Sequence, residues 1–81
     1  MTIADIYQGL SEILADLFMR DDIIASPGLT ADDVEGWDSF KQIEIIMAAE
    51  DRFAIKFSSR ELDDMGNLGM MANLIAAKTA A

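Results

Sequence analysis

Eighty-one residues with fifteen Asp and Glu against six Lys and Arg carry a net charge of −9, a surface that phosphate backbones repel. Direct nucleic-acid binding is therefore not expected, and basic protein partners are favoured. The absence of Cys and His removes disulfides, the usual zinc sites, cysteine nucleophiles and histidine acid/base chemistry, so an enzyme here would have to run on carboxylates alone.

The length predicts one small domain over residues 1–81, and an apolar content of 52% is enough for it to fold despite the charge. Leu68 to Ala77 is the longest nearly apolar stretch. Asn73 interrupts it, and it is about half the roughly 20 residues that a membrane span needs. No basic region followed by an apolar core opens the chain, so the expectation is a cytoplasmic protein with no membrane partner. A monomer is expected.

The first predicted helix runs from Thr2, with Ile3, Ile6, Tyr7, Leu10, Ile13, Leu14, Leu17 and Phe18 at helical spacing. Asp5, Glu12 and Asp16 fall among its outward positions, and Arg20 near its end suits the helix dipole. Asp21-Asp22 opens an acidic connection, in which Ser26-Pro27-Gly28 is a turn signature. From about Asp21 to Trp37 there is little periodicity, although Leu29 and Val34 can anchor the segment and Thr30 can cap a short turn. A loop this long in so small a domain is often functional.

Helical spacing resumes at Ser39 with Phe40, Ile43, Ile46, Met47 and Phe53, which predicts a second helix carrying Glu44, Glu50 and Asp51 on other faces. Ser58 and Glu61 have capping-box spacing, predicting a short third helix from about Ser59 to Met65. Asn67 can cap a fourth, whose buried stripe is Leu68, Met71, Ala72 and Ile75. Gly69 weakens that helix by roughly 1 kcal/mol relative to alanine. Only Phe53 to Phe57 alternates like a strand, and it has nothing to pair with. The expected fold is all-α: a small four-helix bundle, three longer helices and one short, with a long loop between the first two. Six methionines point to a compliant core.

One constellation could carry chemistry. The acidic loop ends in Gly36-Trp37-Asp38-Ser39-Phe40 at the predicted start of the second helix. A hydroxyl there meets unpaired backbone amides and the positive end of the dipole, which favour a phosphodiester. Gly36 lets the chain turn, and Asp38 places a carboxylate beside the hydroxyl. The simplest local reading is that Ser39 caps the helix, since Ser39 and Gln42 have capping-box spacing.

The order of helix, long acidic loop, Asp-Ser-Phe, acidic helix, short helix and final helix resembles an acyl carrier protein over nearly the whole chain. The likeness is densest in Asp38-Ser39-Phe40, Ile43-Glu44-Ile45-Ile46-Met47 and Glu50-Asp51-Arg52-Phe53, and continues through Phe57, Met65, Leu68 and Ile75. The resemblance implies that a phosphopantetheinyl transferase moves 4'-phosphopantetheine from coenzyme A to Ser39, beside Asp38, and that acyl groups ride on the arm as thioesters. It implies a recognition surface on the second helix at Phe40, Glu44, Met47, Glu50 and Asp51. The partners there would be an acyl-loading ligase or transferase and acyl-processing enzymes with basic docking surfaces. It also implies a lining for the acyl chain at Ile46, Phe57, Met65, Leu68 and Met71, although for each taken singly ordinary core packing is the better explanation.

Phe40 and Lys41 depart from the leucine and the acid or polar residue common in housekeeping fatty-acid carriers. Trp37 looks like the Trp-Asp-Ser form of specialised carriers in lipid modification or secondary metabolism. These departures bear on cargo and pathway more than on the carrier role. Three other readings compete, the weakest being a carboxylate-only hydrolase, for which so small a domain supplies no convincing substrate cleft. An unmodified acidic helical adaptor would bind a basic partner through the second helix. A calcium loop centred on Gly36 fails in spacing, because Ala31 and Gln42 stand where Asp and Glu are needed.

Overall fold

A computed structural model describes residues 2–63 and 65–79. Among the described residues four α-helices follow one another: α1 (Ile3–Phe18), α2 (Ser39–Phe53), α3 (Ser59–Asp63) and α4 (Leu68–Thr79), with a 3₁₀ turn over Ala31–Asp33. No strand occurs among the described residues. The bundle matches the all-α expectation, including three longer helices, one short one and the long first loop. The third helix is described over Ser59–Asp63, and Met65, its predicted end, is not helical but lies in the connection to α4.

Each helix begins where side chains satisfy amides that the helix leaves unpaired. At α1, Thr2 and Asp5 form a reciprocal capping box: the Thr2 N–H donates to Asp5 Oδ2 at 3.0 Å while the Asp5 N–H donates to Thr2 Oγ1 at 3.2 Å. Hydrogen bonding from Thr2, its backbone N–H first, holds the Asp5 carboxyl below its ordinary pKa. At α3, Ser58 N–H donates to Glu61 Oε1 at 2.7 Å while Glu61 N–H donates to Ser58 Oγ at 3.2 Å. At α4, Met70 N–H donates to Asn67 Oδ1 at 2.9 Å. The two latter caps are those the sequence spacing predicts. α1 and α2 end instead on left-handed residues without glycine, Met19 at φ 53° and Ala54 at φ 55°.

α1 packs against both α2 and α4, and the core is built where they meet. Ile6, Leu10 and Leu14 from α1, Ile45 and Ala49 from α2, and Ala72 and Ile75 from α4 are fully buried. Gly9 permits the close approach of α1 to α2, because a Cβ there would stand 2.8 Å from Phe53 Cζ. The α4 stripe of Leu68, Met71, Ala72 and Ile75 is buried as its spacing predicts.

The long loop is docked rather than free. Ala25 N–H donates to Ser11 Oγ at 3.1 Å, Val34 is buried, and Leu29 packs partly buried against the core. The loop also caps α4, since Leu68 N–H donates to the Leu29 carbonyl at 2.9 Å and Gly69 N–H to the Pro27 carbonyl at 3.0 Å. Gly69, read from sequence only as a weak helix former, is thus the point where loop backbone lies against helix backbone.

α2 corrects the sequence reading in two respects. The cap is Asp38, whose Oδ1 accepts the Lys41 N–H at 3.0 Å, and Ser39 is the first helical residue rather than the cap. Gln42 is not the other half of a capping box with Ser39, because its Oε1 accepts the Trp37 indole N–H at 2.8 Å. The buried face of α2 is Ile45, Ala49 and Phe53, whereas Phe40, Ile43 and Met47 are 76%, 55% and 63% exposed. Apolar residues surround much of this helix, so spacing alone does not say which of them face the core.

Candidate functional site

The site is assembled by the turn into α2. Gly36 adopts φ 88°, a region that L side chains rarely occupy, and redirects the chain after Val34 enters the core. Trp37 then closes a turn, its N–H donating to the Val34 carbonyl at 3.3 Å. Asp38 caps α2, and the first regular helical bond runs from Gln42 N–H to the Asp38 carbonyl at 2.9 Å.

Asp38 performs the capping, so Ser39 stands exposed in the first turn without that duty. In a helix the first amides have no intrahelical acceptor, and with Lys41 N–H taken by Asp38 those of Ser39 and Phe40 face the helix N-terminus. An exposed hydroxyl beside such amides suits a covalently attached phosphodiester, since the amides and dipole favour its charge and nothing has to move to admit it. The residues present therefore fit a phosphate-linked prosthetic group.

Around this point the exposed apolar side chains Phe40, Ile43 and Met47 follow one another along α2, with Glu44 and Asp51 exposed on the same helix. Glu44 lies 3.6 Å from Lys41 Nζ. Glu50 is oriented differently from a free surface acid: its Oε2 accepts the Phe57 N–H at 2.9 Å and pins the connection from α2 to α3. Ile43 was not singled out by sequence reasoning as a surface residue, and its i, i+4 relation to Met47 becomes informative only once the buried face is known.

Met65, Leu68 and Met71 line a small cavity of about 60 Å³, together with Leu29, Thr30, Trp37, Gln42 and Asn67. Ile46 and Phe57 are partly buried against the core and outside that lining. A cavity known to bind benzene measures roughly 150 Å³, so this space as it stands is smaller than one that holds even a six-carbon ring. No helix among the described residues is long and apolar enough to cross a membrane.

With this geometry in place, comparison with family models gave a match to the phosphopantetheine attachment site family over residues 8–75. The chain belongs to that family. As a family member it is a carrier protein of covalent 4'-phosphopantetheine, and the match takes in the whole turn into α2. Carrier domains of this kind are in general substrates of modifying enzymes rather than catalysts, and interact with phosphopantetheinyl transferases and acyl-processing enzymes. Searches of curated proteins and of solved structures found no significant match.

Proposed function

We infer that Ser39 is the attachment residue and that the protein is an acyl carrier serving a specialised lipid, polyketide or related biosynthetic pathway in the cytoplasm. The observation that carries this reading is the exposed Ser39 hydroxyl in the first turn of α2, released from capping by Asp38. Bound there, the group supplies a thiol on which acyl chains are held as thioesters, the only thiol in a chain without cysteine.

The chain's own residues do the rest. Asp38 keeps the helix start formed, and the amides of Ser39 and Phe40 offer hydrogen bonds to a phosphodiester. Phe40, Ile43 and Met47 present apolar contacts, while Glu44 and Asp51 attract the basic surfaces of a transferase, a loading ligase and acyl-processing enzymes. Tethering raises the local concentration of the cargo at each docked active site. Trp37 before Asp38-Ser39 supports a specialised rather than a housekeeping carrier.

Intact mass before and after incubation with coenzyme A, magnesium and a broad-specificity phosphopantetheinyl transferase tests the assignment. Wild-type protein gains one phosphopantetheine and Ser39→Ala gains none. A gain by Ser39→Ala refutes the assignment of the residue. No gain in folded wild type that is not already modified leaves the protein as an acidic adaptor.

A further inference from the structure

The start of α2 is held against the end of α1 from two directions. Lys41 Nζ donates to the Leu17 carbonyl at 3.2 Å and lies 5.9 Å from the centre of the Phe18 ring. Trp37 packs on the same ring, with centroids 5.8 Å apart and planes tilted by 45°, and its indole N–H is tied to Gln42. Leu17 and Phe18 are the last two residues of α1, whose last turn has no basic residue of its own. Lys41 supplies, from another helix, the cation that the unpaired carbonyls and negative dipole end of α1 favour. Ser39 lies in the chain between these two anchors.

We propose that Trp37 and Lys41 clamp the first turn of α2 onto the C-terminal end of α1, and so act as positioning residues for the modification of Ser39. The proposal rests on Ser39 being the attachment residue. The first turn of a helix opens easily because its amides lack regular partners, and the Asp38 cap satisfies only one of them. Opening that turn displaces Ser39 relative to the helix that a transferase must read. If the closed turn is present in only a fraction of molecules, apparent affinity for the transferase falls by that fraction.

A surface-charge account of Lys41 makes the opposite prediction. Removing a cation from an acidic face strengthens its attraction to a basic transferase, which lowers KM. The clamp instead predicts that KM rises when Lys41 is neutralised.

The test is steady-state transfer from coenzyme A by a broad-specificity transferase with magnesium, using wild type, Lys41→Met, Lys41→Arg and Trp37→Phe. Amide hydrogen exchange at residues 38–42 is measured on the same unmodified proteins. Lys41→Met and Trp37→Phe are expected to raise KM about three- to tenfold at nearly unchanged kcat and to speed exchange at those amides. Lys41→Arg, which keeps the cation, is expected to stay close to wild type. Folding is checked by circular dichroism, and if Lys41→Met does not fold, Trp37→Phe decides on the same readouts because it keeps an aromatic ring at this position while losing the indole N–H donor and part of the ring contact on Phe18. Wild type that is modified while KM is unchanged or lowered in the variants overturns the clamp alone. Folded wild type that takes up no group overturns the attachment reading and the clamp with it.

Discussion

Gly69 N–H donates to the Pro27 carbonyl oxygen at 3.0 Å, and a Cβ built on Gly69 would stand 2.7 Å from that same oxygen. The acidic loop is thereby fastened backbone to backbone onto α4, at a point 42 residues away in sequence, and delivers the chain to Gly36 and Trp37 from a fixed position.

Gly69→Ala therefore sets two effects against each other. Alanine gains roughly 1 kcal/mol in helix propensity. Its methyl group meets loop backbone, which cannot step aside as the end of a flexible side chain would, and overpacking of this kind costs about 1–3 kcal/mol. We expect net destabilisation, measured as a lower midpoint in urea unfolding.

Glu50 and Asp51 are neighbours with separable roles. Glu50→Ala leaves the part-buried Phe57 N–H without its acceptor and is expected to cost about 1–2 kcal/mol. Glu50→Gln retains an acceptor oxygen and should cost less. Asp51→Asn, on an exposed position, should change stability by no more than about 0.5 kcal/mol while raising KM for a basic transferase. Thermal melts and transfer kinetics on the three variants separate the structural acid from the docking acid.

Acid sensitivity follows from Glu61. The Ser58 N–H first, and then the Lys78 ammonium at 2.9 Å, hold its carboxyl below the ordinary glutamate pKa. A carboxyl whose pKa is lower in the folded state stabilises the fold when ionised. That contribution is complete above the unfolded value and is lost as pH falls through the folded one. The thermal midpoint should accordingly drop on acidification from about pH 5 towards pH 3, and Glu61→Gln should flatten part of that limb. The flattening is partial because Asp5, bonded to Thr2, and Asp22, bonded to Arg20, are lowered in the same direction.

Met19 offers a gain. It holds φ 53° at the end of α1 with its side chain 90% exposed, so it bears the strain of the left-handed conformation and contributes little packing. Met19→Gly is expected to stabilise the protein by about 0.5–1 kcal/mol. A thermal melt of the single variant measures it.

Phe40 and Met47 should show the reverse of a core pattern. Their replacement by alanine is expected to alter stability by no more than about 0.5 kcal/mol, because both are exposed, yet to weaken transferase docking several-fold. A melt and a KM determination on the same preparation decide it.

Local spacing determined a good deal by itself. It located the four helices, the Ser58–Glu61 and Asn67 caps, the buried α4 stripe and the Asp38-Ser39-Phe40 turn, because each depends on residues within one or two helical turns of one another. Lack of Cys and His likewise narrowed the chemistry before any fold was known. What only the tertiary structure decided are relations between residues distant in the chain. Gly69 against Pro27, and Lys41 on the Leu17 carbonyl, join segments that no periodicity relates. The choice of Ile45, Ala49 and Phe53 as the inner face of α2, with Phe40, Ile43 and Met47 outside, came from packing against α1. Two near-local assignments also went beyond spacing: Asp38 rather than Ser39 caps α2, and Glu50 bonds the Phe57 amide. Several side chains near those amides could have served, and the path of the backbone selects the one that reaches.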